Sequence, residues 1–220
     1  MQVDATTQLR NIVTAQPTSS RVLQRHGLDF CCGGARTLDD ACARLGLSAD
    51  QVLQEIAATQ DRGTSARWDE VPVDELIAHI LEVYHQPLPE ELEQLQAMAD
   101  KVLRVHGDKD PERLAKLADT VRAMTRDLLP HMQKEEQILF PWILDARQPS
   151  PQGPIAVMEH EHEQVAILLA DAKALTDDFT PPPGACNTWT NLYARLEAFD
   201  LDLREHIHLE NNILFPMAVG

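Results

Sequence analysis

The chain is poor in positive charge. It carries 19 lysines and arginines against 35 aspartates and glutamates, a formal net charge of -16. That balance argues against nucleic acid and anionic membrane surfaces as partners. Long apolar runs are also missing. None approaches the roughly 18 residues of a membrane-spanning helix. The N-terminus, Met-Gln-Val-Asp-Ala-Thr-Thr, lacks the charged and apolar regions of a secretory signal. Cysteine is scarce: Cys31 and Cys32 are adjacent, while Cys42 and Cys186 are scattered. This is no disulfide framework, and a reducing, cytoplasmic compartment is expected. Alternation of the kind that marks strands is absent over any useful length, so an all-α chain is expected.

What is present is a repeat. His131-Met-Gln-Lys-Glu135-Glu-Gln-Ile-Leu-Phe140-Pro141 returns 75 residues later as His206-Ile-His-Leu-Glu210-Asn-Asn-Ile-Leu-Phe215-Pro216. Both read His-x3-Glu-x-x-Ile-Leu-Phe-Pro, which suggests a duplicated helical unit. Residues four apart share a helix face, so each histidine points the same way as its glutamate. Leu128, Ile138 and Trp142 fall on the stripe of the first pair, and Leu203, Ile213 and Met217 on that of the second. Apolar residues at helical spacing mark the buried face. Two imidazoles and two carboxylates are therefore aimed into a core. A buried carboxylate must be paired or bind a cation.

Residues 1–60 read as a small N-terminal helical domain. Ser19 is placed to cap the helix through Val22, Leu23 and His26, and Gly27 to end it. Leu28-Asp29-Phe30-Cys31-Cys32-Gly33-Gly34 follows as a turn with two exposed thiols at its tip. Thr37 with Asp40, and Ser48 with Gln51, open two further helices. The domain has few large apolar residues, which suggests that it packs on its neighbour or on its own copy in a homodimer. Residues 61–72 read as a linker. Residues 73–220 read as an antiparallel four-helix bundle, with helices at about 73–105, 111–146, 154–177 and 187–218. Pro87 and Pro89 should interrupt the first just beyond His85, and Pro130 should bend the second.

Bundle cores build metal sites from facing helices. In the first helix His85 shares its stripe with Ile77, Leu81, Leu88, Leu92 and Leu95. In the third His162 shares its face with Ile155, Met158, Val165 and Leu169. His85 and His162 are 77 residues apart, close to the repeat distance, so the duplication selects the same two histidines. The expected ligand set is His85, His131, Glu135, His162, His206 and Glu210. Four imidazoles and two carboxylates suit non-haem iron better than structural zinc. Two matching halves suggest two irons, with the glutamates bridging. His160 and His208, about 200° round the helix from their neighbours, should face solvent, and Cys42 and Cys186 should fill the core. Glu159 and Glu161, beside His162, suit an iron exit path or hydrogen bonding to the ligands.

This arrangement resembles the hemerythrin-like di-iron fold, and more closely the Repair of Iron Centres family, iron–sulfur cluster repair di-iron proteins with an ScdA-type N-terminal domain. The residues that carry the resemblance are Asp29-Phe30-Cys31-Cys32-Gly33-Gly34 with Thr37-Leu38, Tyr84-His85, the two His-x3-Glu-x4-Phe-Pro motifs, and Met158-x-x-Glu161-His162. They span essentially the whole chain. One departure is Gln86-Pro87-Leu88-Pro89, where the family often carries a further histidine and arginine.

The resemblance implies two non-haem irons per chain, joined by an oxo or hydroxo bridge and held by the four histidines, with Glu135 and Glu210 bridging. It implies repair of iron–sulfur clusters damaged by nitric oxide or oxidants, by donating iron to a damaged iron–sulfur protein or cluster scaffold. Cys31 and Cys32 are then candidate redox or metal-transfer thiols. Two other readings fit the same site: a reductase that couples nitric oxide to nitrous oxide, and a protein that binds nitric oxide or dioxygen without turnover.

Overall fold

A computed structural model describes residues 3–59, 67–145 and 147–220. Among them the chain is helical throughout, and the single bridge, Gln8 with Thr37, is isolated. Residues 61–66 of the expected linker lie outside the described residues; Trp68–Glu70 form a 3-10 turn. The chain divides into two compact units.

The first unit joins residues 1–76 to residues 203–220. Its N-terminal part has four short helices, α1 (Leu9–Ala15), α2 (Ser20–Arg25), α3 (Leu38–Leu45) and α4 (Ala49–Thr59). Thr37 caps α3 by accepting from the Asp40 N–H at 3.2 Å, and Ser48 serves Gln51 in the same way before α4. Gly27 and Gly46, both at φ 68°, close α2 and α3 in the left-handed conformation. Ser19 does not cap α2. A 3-10 turn, Pro17–Ser19, runs straight into that helix, so Ser19 has helical backbone angles and its hydroxyl is buried without a hydrogen bond. This part packs on the C-terminal stretch of the same unit. Ser20 Oγ donates to Glu205 at 2.6 Å, and Phe30 stacks edge-on against His208.

The second unit, residues 77–202, is an antiparallel helical bundle. α5 (Val73–Ile80) leads into a π-helical segment, Leu81–His85. α6 (Leu88–His106) packs along α7 (Pro111–Lys134), and α7 along α9 (Gln152–Leu175). α7 continues through a second π segment, Glu135–Leu139, into α8 (Phe140–Leu144). α10 starts at Asn187, and its Arg195 grips Glu91 of α6 through two hydrogen bonds. α10 runs to Leu209. A third π segment, Glu210–Leu214, and α11 (Phe215–Val219) follow it in the first unit.

The three π segments share a cause. Each ends two residues before a proline: Pro87, Pro141 and Pro216. A proline ring has no N–H for an α-turn and crowds the carbonyl four residues back. Widening the preceding turn relieves that crowding, and the Gln86, Phe140 and Phe215 amides reach back five residues to Leu81, Glu135 and Glu210. One inserted residue turns everything beyond it by about 100°. The expected stripe is corrected accordingly. Ile138 is 55% exposed and Leu139 and Phe140 are buried in its stead, Trp142 is only half-buried and Met217 faces outward, while Ile213 is buried as expected. α7 itself runs through Pro130 unbroken.

Candidate metal centre

Four of the six expected ligands meet inside the second unit. His85, His131, Glu135 and His162 are all buried. Glu135 sits at the focus. Its Oε2 is 3.3 Å from His131 Nε2 and 3.6 Å from His85 Nε2, and its Oε1 is 3.9 Å from His162 Nε2. Neither carboxylate oxygen takes a hydrogen bond from any described residue. A buried carboxylate in that state costs several kcal/mol unless a cation compensates it.

The far sides of two rings are held. His85 Nδ1 lies 2.9 Å from Glu136, and His131 Nδ1 lies 2.8 Å from Glu161. A carboxylate accepts only, so Nδ1 carries the proton and Nε2 turns a lone pair toward Glu135. Burial works to raise the Glu161 carboxyl, but its hydrogen bonds to Lys134 and His131 outweigh burial and hold it below its ordinary value. His131 and His162 bring their Nε2 atoms within 2.9 Å. Two bonds of about 2.1 Å at a right angle to one ion would end about 3 Å apart. The donor set is nitrogen and oxygen without thiolate, which suits iron, manganese or zinc. The residues present therefore fit a metal.

The other two expected ligands meet in the first unit, where His206 Nε2 lies 3.0 Å from Glu210 Oε1 and both residues are buried. Each of the three π segments begins or ends on an expected ligand: Glu135, Glu210 or His85. π-bulges of this kind are frequent at functional sites.

The thiol turn also lies in the first unit, and it is not an exposed tip. Asp29 organises it. One carboxylate oxygen accepts from the amides of Cys31 and Cys32 and from the Cys31 thiol, and the other accepts from the Gly33 amide. A side chain at Gly34 would collide with the Phe30 carbonyl and with Arg10 Cβ, so only glycine closes the turn. Cys31 is buried and Cys32 half-buried, their sulfurs 3.9 Å apart. The hydrogen bond between the two thiols, then burial, push the Cys31 thiol well above its ordinary value. Asp29, Cys31 and Cys32 form a second group able to approach a cation.

Two further expectations for single residues are overturned. His208 is 3% exposed rather than solvated. It packs on Phe30, reaches Thr14 and Asn212, and burial lowers its imidazole to about 4. Its face of the helix is covered by residues from the N-terminal part of the same unit. Cys186 is exposed rather than in the core, and lies 3.2 Å from His106 Nε2. His160 faces solvent as expected.

The helical bundle with a histidine–carboxylate centre defines a class. The hemerythrin HHE cation binding domain matches residues 76–218, and ScdA_N, a domain of unknown function (DUF542), matches residues 5–60. The chain belongs to the hemerythrin HHE family, in the group that joins this domain to an N-terminal ScdA_N domain. The iron-sulfur cluster repair protein YtfE of Yersinia pseudotuberculosis serotype O:1b (strain IP 31758) is 45% identical over 209 residues, covering 94% of each chain. The YtfE of Yersinia pestis (strain Pestoides F) is 44% identical over the same length and coverage. No helix among the described residues is long and apolar enough to cross a membrane.

Proposed function

We propose that the chain holds two non-haem irons per molecule through His85, His131, Glu135, His162, His206 and Glu210, and repairs damaged iron–sulfur clusters by giving up ferrous iron. The observation that carries this reading is Glu135: a fully buried carboxylate with three imidazole Nε2 atoms within 3.9 Å and no hydrogen bond to either oxygen. The likeness to YtfE over nearly the whole chain supports the cluster-repair role.

Iron, when bound, would supply redox change and an exchangeable ferrous ion. The remaining work belongs to side chains. Glu135 and Glu210 neutralise positive charge inside the core. Glu136 and Glu161 fix the tautomers of His85 and His131, so that neither ring nitrogen facing Glu135 carries a proton. Both carboxylates are partly exposed, so this layer also links the buried ligands to solvent. A set of neutral imidazoles with two carboxylates suits ferrous iron. The recipients would be damaged iron–sulfur proteins or a cluster scaffold, with nitric oxide or dioxygen as small ligands, in the cytoplasm.

The test is metal analysis followed by transfer of iron from the reduced protein to an iron–sulfur protein stripped of its cluster. Two irons per chain are expected, with transfer lost when Glu135→Ala removes the central carboxylate. Iron that stays bound under reducing conditions, or nitrous oxide formed over many turnovers, would refute donation.

A further inference from the structure

The second His-x3-Glu motif carries a device that iron binding leaves without a role. Asn212 lies two residues beyond Glu210, inside the π segment. Its Nδ2 donates to the Cys31 carbonyl at 2.9 Å and lies 3.3 Å from the Phe30 carbonyl and 3.2 Å from His208 Nδ1. Its neighbour Asn211 brings its Nδ2 to 3.9 Å from Cys32 Sγ. The matching residues of the first motif are Glu136 and Gln137, and there Glu136 serves a ligand histidine. The duplicated motif has kept its histidine and glutamate. In place of the next two residues it has amides that grip the thiol turn.

We propose that Asn212 is a positioning residue that couples cation binding at Glu210 to the accessibility of Cys31, resting on the reading of Glu210 as an iron ligand. Cys31 is 1% exposed. A reagent reaches its sulfur only after the turn lifts, and lifting breaks the hydrogen bonds from Asn212. The π-turn bond from the Phe215 amide to the Glu210 carbonyl spans Asn211 and Asn212. A cation on the Glu210 carboxylate fixes the start of that span, so the turn opens less often. Such local opening sets the reactivity of buried groups. Coupling between two sites is reciprocal, so modifying Cys31 must weaken cation binding by the same factor.

The test uses the full chain carrying Cys42→Ala and Cys186→Ser, anaerobic, iron-free and ferrous-loaded. Iodoacetamide alkylates the remaining thiols, and mass spectrometry follows Cys31 and Cys32 separately. Iron is expected to slow Cys31 by about 5-fold or more. In Asn212→Ala and in Asn212→Asp, whose ionised carboxylate cannot donate to the two carbonyls, both forms should react at one rate, faster than the iron-free parent. Circular dichroism confirms that the variants fold; if Asn212→Ala does not, Asn212→Asp decides. Equal slowing by iron with and without Asn212 overturns the coupling, because it would mean that iron protects the thiols directly. A parent in which iron binds but leaves Cys31 unchanged also overturns it. A parent that takes up no iron refutes the iron reading instead. Asn212 is then judged on the iron-free chains, where an unchanged Cys31 rate in Asn212→Asp overturns its positioning role.

Discussion

The two His-x3-Glu motifs begin from one pattern and end in different company. In the first, the histidine is tethered by Glu161 and the residue after the glutamate, Glu136, tethers His85. In the second, the residues after the glutamate are asparagines that hold the Cys31–Cys32 turn. The shared residues are those that would touch a cation, together with Ile-Leu-Phe-Pro, whose proline follows the π segment. The residues that differ decide what each half does besides binding. Duplication has preserved the candidate ligands and freed the next turn of helix for other work.

The sharpest way to break the comparison is to remove each glutamate in turn. Glu135 lacks hydrogen bonds, whereas Glu210 accepts from His206. Replacing buried ionic groups by well-packed apolar residues of similar volume is often neutral or stabilising by about 1–4 kcal/mol, and the imidazoles around Glu135 are neutral. Glu135→Leu should therefore raise the stability of the iron-free chain, and Glu210→Leu should raise it less or lower it. Both should abolish the stabilisation that iron gives the parent, about 4 kcal/mol when free iron exceeds its Kd a thousandfold. Thermal or urea unfolding with and without ferrous iron measures both effects. Equal behaviour of the two variants would mean that the halves are electrostatically equivalent.

A smaller effect sharpens the contrast. Glu161→Gln keeps an acceptor for His131 but removes the charge that fixes its proton. Loss of such a partner typically weakens metal binding about 10–100-fold. That factor should appear in ferrous affinity measured by chelator competition. Folding stability should move by less than about 1 kcal/mol, since Glu161 is partly exposed. A change in stability larger than the change in affinity would make Glu161 a packing residue rather than a tether.

Most of this was legible in the sequence. The repeat distance and the stripes located four helices and all six candidate ligands, because ligand spacing and apolar spacing obey the same helical period. What escaped was the change of period. Ile138, inside a π segment, is 55% exposed, although its counterpart Ile213 in the third π segment is buried. The signal was present: Pro87, Pro141 and Pro216 each stand two residues past such a segment. α9, with no proline after the candidate ligand His162, carries its stripe of Ile155, Met158, Val165 and Leu169 intact. His208 and Cys31 escaped for a second reason. Helical periodicity reports a face, not what covers it, and both are buried by chain distant in sequence. Cys186 escaped because apolar neighbours in sequence do not bury a residue at the start of a helix.

Cys186 supplies the smallest expected effect, and a control for the thiol turn. It precedes α10, where the Trp189 amide above all lowers its pKa from the ordinary thiol value; desolvation opposes this, and the Thr188 amide and nearby Lys101 add to the lowering. A lowered pKa keeps the thiolate populated as pH falls, so its alkylation should persist to lower pH than that of an ordinary thiol. Cys31, buried and shifted upward, should show the opposite: negligible alkylation at neutral pH, rising only as pH climbs well past the ordinary range. Cys186→Ser should leave unfolding and iron content unchanged, since the side chain is exposed and lies outside both motifs. Position-resolved alkylation between about pH 6 and 10 orders the two thiols. Cys186 reacting no earlier than Cys31 would mean that the helix start does not stabilise its thiolate. It would also remove the contrast between an open thiol and one held shut by the second motif.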